Sequence, residues 1–221
     1  MFHKYFAEFL GTCTLVAVVV GSGTMATQMS ADPGVQLLIN TSSTVFALGI
    51  LILIFGSISG AHFNPAVSLS ESIQKRLSPT VLLGYLMAQC AGGISGAMLA
   101  NLMFKNPAYF PSNNVRSGSN LWLGEIVATA GLLFLIQVLR GQKKDSLAPV
   151  VIASWIGSAY FFTSSTSFAN PAVTLARTFT DTFSGIALGS VAMFVVAQLI
   201  GALLGSLTGN YFNKTQMENM K

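Results

Sequence analysis

The chain has 221 residues, of which 52% are hydrophobic and only 8% are charged, and its mean hydropathy is +0.64. Soluble domains carry about 25% charged residues, so this composition excludes a typical soluble domain and indicates a polytopic membrane protein. The net charge of +4 comes from short basic clusters between apolar runs. No basic stripe is interleaved with aromatic residues, so a nucleic-acid partner is not expected.

Six apolar runs are long enough to cross the hydrocarbon core of a bilayer, which needs roughly 20 helical residues. The first run contains Glu8 and has no short cleavage region, so it is interpreted as a span and not as a signal peptide. Cys13 and Cys90 lie inside spans, where free thiols are expected. The predicted spans are 5–26, 36–57, 79–104, 120–139, 147–164 and 184–211.

The basic residues are divided unequally between the two sides that these spans define. Three of them, Lys105, Arg116 and Arg177, fall in alternate gaps, whereas the other eight fall at the ends and in the remaining gaps. By the positive-inside rule this asymmetry places both termini in the cytoplasm. We therefore predict a multi-pass protein of the cell (inner or plasma) membrane.

Two further segments, about 61–76 and 166–180, are too short to span. Each contains the tripeptide Asn-Pro-Ala followed by some ten residues of helical character, which at 1.5 Å per residue reach about 15 Å, or half the hydrocarbon thickness. We predict re-entrant half-helices at about 64–76 and 170–180, because irregular backbone at membrane depth must be buried in protein or line water. The tripeptides are Asn64, Pro65, Ala66 and Asn170, Pro171, Ala172.

The two halves of the chain repeat each other. The half-helix motifs correspond, Glu8 corresponds to Glu125, and the pattern Ala-Gln-x-x-Gly-x-x-x-Gly occurs at 88–96 and 197–205, where its glycines predict close helix packing. These matches predict an all-α membrane domain made of two repeats, 1–111 and 112–221. Three spans per repeat is an odd number, so the second copy is inverted, and inverted repeats place their site at the bilayer midplane.

Asn-Pro-Ala is physically a helix start. Asn is favoured at the N-cap, where its side-chain oxygen accepts first-turn N–H groups, and Pro is favoured at the first helical position. Two such starts meeting at the midplane would offer the amide donors of Asn64 and Asn170, and each helix N-terminus adds roughly +0.5 elementary charge. Such a constriction opposes cations and passes neutral solutes.

Two copies of this motif in duplicated halves resemble the aquaporin and aquaglyceroporin family over essentially the whole chain. The segment 59–67, Ser-Gly-Ala-His-Phe-Asn-Pro-Ala-Val, is nearly the first signature of that family. The resemblance implies a six-span right-handed bundle with two half-helices in the lipid bilayer, assembled as a homotetramer with one pore per subunit. No catalytic constellation is present, and no cofactor is expected. His3 and His62 are the only histidines, so no metal cluster is expected either.

Family members narrow further at four positions, which counting from the motifs places at Thr44, Ser158, Ser167 and Val173. Val173 stands where the family has Arg, and Thr44 stands where water channels have an aromatic residue. This filter is similar to that of a bacterial branch linked to arsenic-resistance operons, which also has Val. The resemblance implies passage of water, glycerol-like polyols and hydroxylated metalloids such as arsenite. The alternatives are an ordinary water or glycerol channel with a misplaced filter, and a proton- or ion-coupled transporter.

Several other polar residues near the motifs have two interpretations each. Glu8 and Glu125, with Gln89 and Gln198, are expected to brace the half-helix loops; a proton relay is the alternative. His62 is expected to be structural, with a pH-sensitive or metal-binding role as the alternative. Arg177 is one turn beyond Val173 and is expected near the surface at a helix C-terminus, unless it serves as a vestibule arginine.

Overall fold

Eight α-helices form the regular structure of residues 1–219, the part of the chain that the computed structural model describes, with side chains described to residue 215. Single 3-10 turns, Asp145–Leu147 and Arg177–Phe179, precede the sixth helix and follow the seventh. The helices are α1 Phe2–Met29, α2 Pro33–Ser59, α3 Pro65–Ile73, α4 Pro79–Met103, α5 Ser119–Gly141, α6 Ala148–Phe162, α7 Pro171–Ala176 and α8 Leu188–Asn219.

Six of these helices are long and apolar enough to cross a membrane: α1, α2, α4, α5, α6 with its preceding turn, and α8. Each predicted span falls on one of them. The largest differences are in the last span, which begins at Leu188 instead of 184 and continues to Asn219 instead of 211. Because the number of crossings is even, the start of α1 and the end of α8 lie on the same side of the membrane. We call this side the terminal face and the opposite side the distal face.

Four helices begin with the same local chemistry, a polar N-cap side chain followed by proline. Asp32 Oδ1 accepts from Val35 N at 2.9 Å, and Asn64 Oδ1 accepts from Ala66 N at 2.9 Å. Proline at the first helical position lacks only an N–H that has no intrahelical acceptor there, and the cap side chain satisfies one or two of the donors that remain. The helix start predicted at each Asn-Pro-Ala is observed. The four cap-proline pairs are Asp32-Pro33, Asn64-Pro65, Ser78-Pro79 and Asn170-Pro171.

The two half-length helices, α3 and α7, are shorter than predicted. α3 has 9 residues and ends at Ile73, two residues before Lys75, whose φ of +61° is left-handed. α7 has 6 residues and tightens into the 3-10 turn, after which Thr180 is extended. The predicted limits of 64–76 and 170–180 were therefore too long at their C-terminal ends, because apolar character continues beyond the residues that keep helical backbone angles.

Helix pairs α1–α4 and α5–α8 pack closely through the predicted glycines. A Cβ on Gly92 or Gly96 of α4 would collide with a backbone carbonyl oxygen of α1, that of Phe9 or Cys13. On α8, Gly201 and Gly205 approach the carbonyl oxygens of Ile126 and Ala130 on α5 in the same manner. Without Cβ atoms the backbones can approach each other, which is how membrane helices gain packing energy in the absence of a hydrophobic driving force.

The long loop 104–118 covers the distal end of the second half-helix. Phe110 N donates to Phe179 O at 3.0 Å, and Ser112 N donates to Thr178 O at 3.0 Å. Asn101 at the end of α4 also donates to Phe179 O, at 2.9 Å. These bonds hold the chain beyond α7 in place, so residues on that turn are positioned by the loop as well as by their own helix.

Candidate functional site

The two Asn-Pro-Ala loops lie directly against each other. Asn64 Nδ2 donates to Ala169 O at 2.8 Å, and Asn170 Nδ2 donates to Phe63 O at 2.7 Å. Each amide oxygen accepts from the first turn of its own helix. Because an amide NH2 carries two hydrogens, each Asn keeps one N–H that these bonds do not use. Both side chains line the same cavity, so these remaining donors are available to a solute.

Glu8 holds the first loop through its carboxylate. Oε1 accepts from Ser59 Oγ at 2.6 Å and from His62 N at 3.0 Å, while Oε2 accepts from Phe63 N at 2.6 Å. Gln89 on α4 donates to Oε2 at 2.8 Å. The carboxylate is fully buried. Charge-assisted bonds of this kind are roughly twice as strong as neutral ones, so the loop is held firmly.

Glu125 makes the equivalent contacts in the second half. It accepts from Phe168 N and Ala169 N, each at 2.8 Å, and from Gln198 Nε2 at 2.6 Å. Gln198 also donates to Thr174 Oγ1 of α7 at 2.8 Å. Neither glutamate lines the two cavities described below. The two glutamates therefore hold the two loops through equivalent bonds, as the brace interpretation expects.

Both loops contain non-glycine residues in the left-handed region of φ. The values are +49° at Ala61 and +48° at Phe63, and +52° at Ser167 and +47° at Ala169. Such conformations cost of order 1–3 kcal/mol each and persist only where surrounding contacts enforce them. Phe63 and Ala169 donate their N–H groups to the glutamates and accept from the asparagines, so the strained residues are also the fixed ones.

A narrow cavity of about 60 Å³ extends from the two asparagines toward the distal face. A buried water needs about 10–15 Å³ of such volume, so the cavity holds a few waters or one small solute. Three of the four predicted filter residues line it: Thr44, Ser167 and Val173. Its wall is mostly apolar, with Leu15, Val19, Leu48, Leu132, Ile152, Ile156, Phe168 and Ala169.

The fourth predicted filter residue, Ser158, was placed wrongly. It is exposed and does not line the cavity, whereas Tyr160 does, with its hydroxyl 3.5 Å from Thr44 Oγ1. Two residues correspond to about 200° around a helix, so a shift of two moves a side chain to the opposite face. Counting twelve residues back from Asn170 assumed a longer connection than the one between Phe162 and Asn170 in this chain.

Arg177 also differs from its expected surface position. It is only 3% exposed, and it lines the narrow cavity one turn beyond Val173. Its Nε donates to Ser184 O, and its Cζ lies 3.4 Å from the centroid of the Phe168 ring. The four-residue spacing from Val173 puts both side chains on one helix face, and this was the signal in the sequence. The vestibule alternative therefore fits its position.

A second cavity, of about 370 Å³, opens on the terminal face beyond the first loop. His62 lines it and pairs with Ser68 through Nδ1 and Oγ at 3.0 Å. Glu71, also in its wall, is buried and forms ion pairs with Arg76 at 3.0 Å and with Arg140. Sequence reasoning missed this cluster, because its members come from α3, the following loop and α5.

The described residues contain no cluster of three or more His, Cys, Asp or Glu able to hold a metal ion. Both cysteines are free thiols. Cys13 lines a lateral groove between α1, α2 and α4, and neither Cys13 nor Cys90 lines the two cavities around the asparagines.

Mercurial reagents are therefore expected to leave water flux through the unmodified protein within about twofold of its value without the reagent. Ser167 is 3% exposed and lines the narrow cavity, so a thiolate-bound mercury atom there would fill the passage. Osmotic swelling of proteoliposomes containing Ser167→Cys should slow at least tenfold with mercury and recover with excess thiol. Strong inhibition of the unmodified protein would instead mean that Cys13 or Cys90 controls the passage.

Comparison with known proteins agrees with this arrangement. The profile of the family described as "Major intrinsic protein" matches residues 1–167. The chain is 48% identical over 197 residues to aquaglyceroporin AqpS of Rhizobium meliloti, covering 89% of this chain and 84% of that protein. It is 32% identical over 226 residues to aquaporin Z of Brucella melitensis, covering 94% and 96%.

A solved structure, the aquaglyceroporin from Plasmodium falciparum, superposes with a TM-score of 0.72 over 96% of both chains. At 21% sequence identity this match concerns the fold, which is the all-helical arrangement described above. The family match and the sequence relatives carry the assignment further, to a multi-pass membrane channel that is not an enzyme. The chain belongs to the major intrinsic protein family, that of the aquaporins.

Proposed function

We propose that the chain is a passive channel for small uncharged solutes, namely water, glycerol-like polyols and hydroxylated metalloids such as arsenite. The observation that carries this proposal is the pair of asparagine amides lining one narrow cavity. The constriction comprises Asn64, Pro65, Ala66, Asn170, Pro171 and Ala172.

The filter that we propose lies on the distal side of the asparagines. Its members are Thr44, Tyr160, Ser167 and Val173, all buried and all in the cavity wall. Valine in place of the family arginine removes bulk at that position, which favours solutes larger than water. The name of the Rhizobium meliloti relative, an aquaglyceroporin, supports polyols as one class of solute.

Cations are opposed where the half-helices meet. The N-termini of α3 and α7 face the same cavity, and each carries roughly half a positive charge. A cation would lose its hydration there against two positive ends, while a neutral solute would meet amide donors.

We further propose the repeat organisation of the channel, its orientation in the membrane and its oligomeric state. The duplication would divide the chain into the repeats 1–111 and 112–221, as the equivalent contacts of Glu8 and Glu125 suggest. The terminal face would lie in the cytoplasm because most basic residues are on it. The protein would be a homotetramer in the plasma membrane with one pore per subunit.

Flux is expected to follow the solute gradient alone. Neither Glu8 nor Glu125 lines the narrow cavity, so no carboxylate stands in its wall to couple solute flux to a proton gradient. In proteoliposomes, an imposed pH difference of two units should leave the rate of glycerol uptake within about 20% of its value without that difference. Glycerol should not accumulate above its external concentration. Accumulation against the glycerol gradient would establish the alternative, a coupled transporter. A swelling panel with water, glycerol and arsenite separates the broader channel from an ordinary water or glycerol channel.

A further inference from the structure

We propose that Arg177 forms a solute-binding subsite that this chain uses in place of an arginine at position 173. In this subsite the guanidinium donates hydrogen bonds to an oxygen of the passing solute and its charge repels cations. The inference rests on the proposed function and deepens it, since it names a residue that sets selectivity in the same cavity.

The contacts of Arg177 leave most of its donors available. Of its five N–H donors, only Nε–H has a protein acceptor among the described residues, the carbonyl of Ser184. The side chain is 3% exposed, and the space beside it is the narrow cavity. Acceptors for the terminal N–H groups of the guanidinium must therefore come from molecules inside that cavity.

Among the described residues, no carboxylate lies within ion-pair distance of Arg177. Among the described residues Arg76 and Arg140 form ion pairs, but Arg177 forms none. Glu125 acts on Arg177 only at longer range, and its oxygens already accept from two backbone N–H groups and Gln198. A buried, unpaired cation is costly unless its surroundings compensate.

Three features hold this cation in place without neutralising it. Its guanidinium lies over the face of Phe168, whose ring electrons attract a cation. The Ser184 carbonyl accepts from Nε, and the residue caps the C-terminal, negative end of α7. All three are neutral groups or partial charges, so none of them cancels the full charge of the guanidinium.

A second polar residue without a side-chain hydrogen bond among the described residues belongs to the wall of the same cavity. The Ser167 hydroxyl is buried and has no hydrogen-bond partner among the described residues, although it lines the cavity. The cavity wall therefore combines polar side chains with the apolar side chains of Val173, Leu48 and Ile156. A small, neutral, hydroxylated solute, which has both polar and apolar surface, fits such a wall.

The cation barrier provides the sharpest test. Arg177→Leu should raise potassium leak through proteoliposomes at least tenfold over the unmodified protein, while water swelling persists. The matched control is Arg116→Leu: Arg116 lies over the same ring at 5.2 Å but is held by the carbonyls of Gly185 and Phe183 and does not line the cavity. Potassium leak through Arg116→Leu should stay within twofold of the leak through the unmodified protein.

A swap of positions distinguishes a selectivity role from a structural one. The double variant Val173→Arg/Arg177→Val should return potassium leak to the unmodified level, because the charge is again in the cavity. Arg177→Lys should keep the barrier and Arg177→Gln should lose it, and these two variants decide the matter if Arg177→Leu does not assemble.

The opposite results would overturn the inference. Water swelling without potassium leak in Arg177→Leu or Arg177→Gln would mean that the asparagine junction alone excludes cations. A leak in Arg177→Leu that the swap does not reverse would mean that Arg177 acts only by supporting the loop. Failure of the unmodified protein to conduct water or glycerol would count against the proposed function instead.

Discussion

Val173→Arg is expected to reduce glycerol and arsenite permeability at least tenfold more than water permeability. Val173 is 5% exposed and lines a cavity of only about 60 Å³ together with Thr44 and Ser167. A guanidinium there would fill much of that space, and it would stand one turn from Arg177. A barrier increase of about 1.4 kcal/mol is enough for a tenfold slowing. Stopped-flow swelling of proteoliposomes with each solute measures the ratio.

Val173→Leu is the matched control, because it adds bulk to the same wall without a charge or N–H donors. It should reduce the permeability to glycerol and arsenite by less than the arginine variant does. Arginine at the neighbouring Ala176 is not a usable control, since Ala176 is fully buried and its Cβ lies 3.1 Å from where a Cβ on Gly93 would be. If Val173→Arg assembles and leaves the solute ratios unchanged, the narrow point is not at this cavity.

Glu125→Ala is expected to prevent assembly of the channel. The variant leaves the N–H groups of Phe168 and Ala169 and one amide N–H of Gln198 without their acceptor in a fully buried site. Each such orphan costs about 1–3 kcal/mol, so three of them approach the 5–15 kcal/mol that typically separates folded from unfolded protein. The yield of monodisperse protein in detergent and its melting temperature measure the effect.

Glu8→Ala should behave in the same way, because Glu8 accepts the corresponding bonds in the first loop. The contrasting variant is Asp145→Ala. That carboxylate is 65% exposed and lies 3.9 Å from Arg140, so its loss should cost no more than about 1 kcal/mol. Folded, water-conducting Glu125→Ala that differed from the unmodified protein only in proton coupling would support the relay interpretation instead of the brace.

The starts of the two half-helices were predictable because they depend on local chemistry. A polar N-cap followed by proline satisfies or removes the first-turn donors wherever it occurs, so Asn64 and Asn170 start helices irrespective of their partners. The spans follow from run length, and the glycine pairs on α4 and α8 follow from the spacing that allows two backbones to approach.

Positions inside the cavity were less predictable because they depend on helix rotation and loop length. Ser158 was chosen by a residue count, and a connection two residues shorter turned it outward and brought Tyr160 into the wall. The Glu71 ion pairs join α3 with α5 across the terminal face, and no local pattern connects those segments.

The amino-acid sequence by itself determined the family, the number of spans, the starts of the two half-helices and the correspondence between Glu8 and Glu125. Each of these depends on composition, spacing or repetition. Only the tertiary structure decided which side chains share the passage. A helical residue's direction changes by about 100° per position, so an error of two residues in register turns its side chain to the opposite face. Arg177 is the clearest case: its spacing from Val173 is local, but its burial depends on the Phe168 ring and the Ser184 carbonyl, brought by other segments.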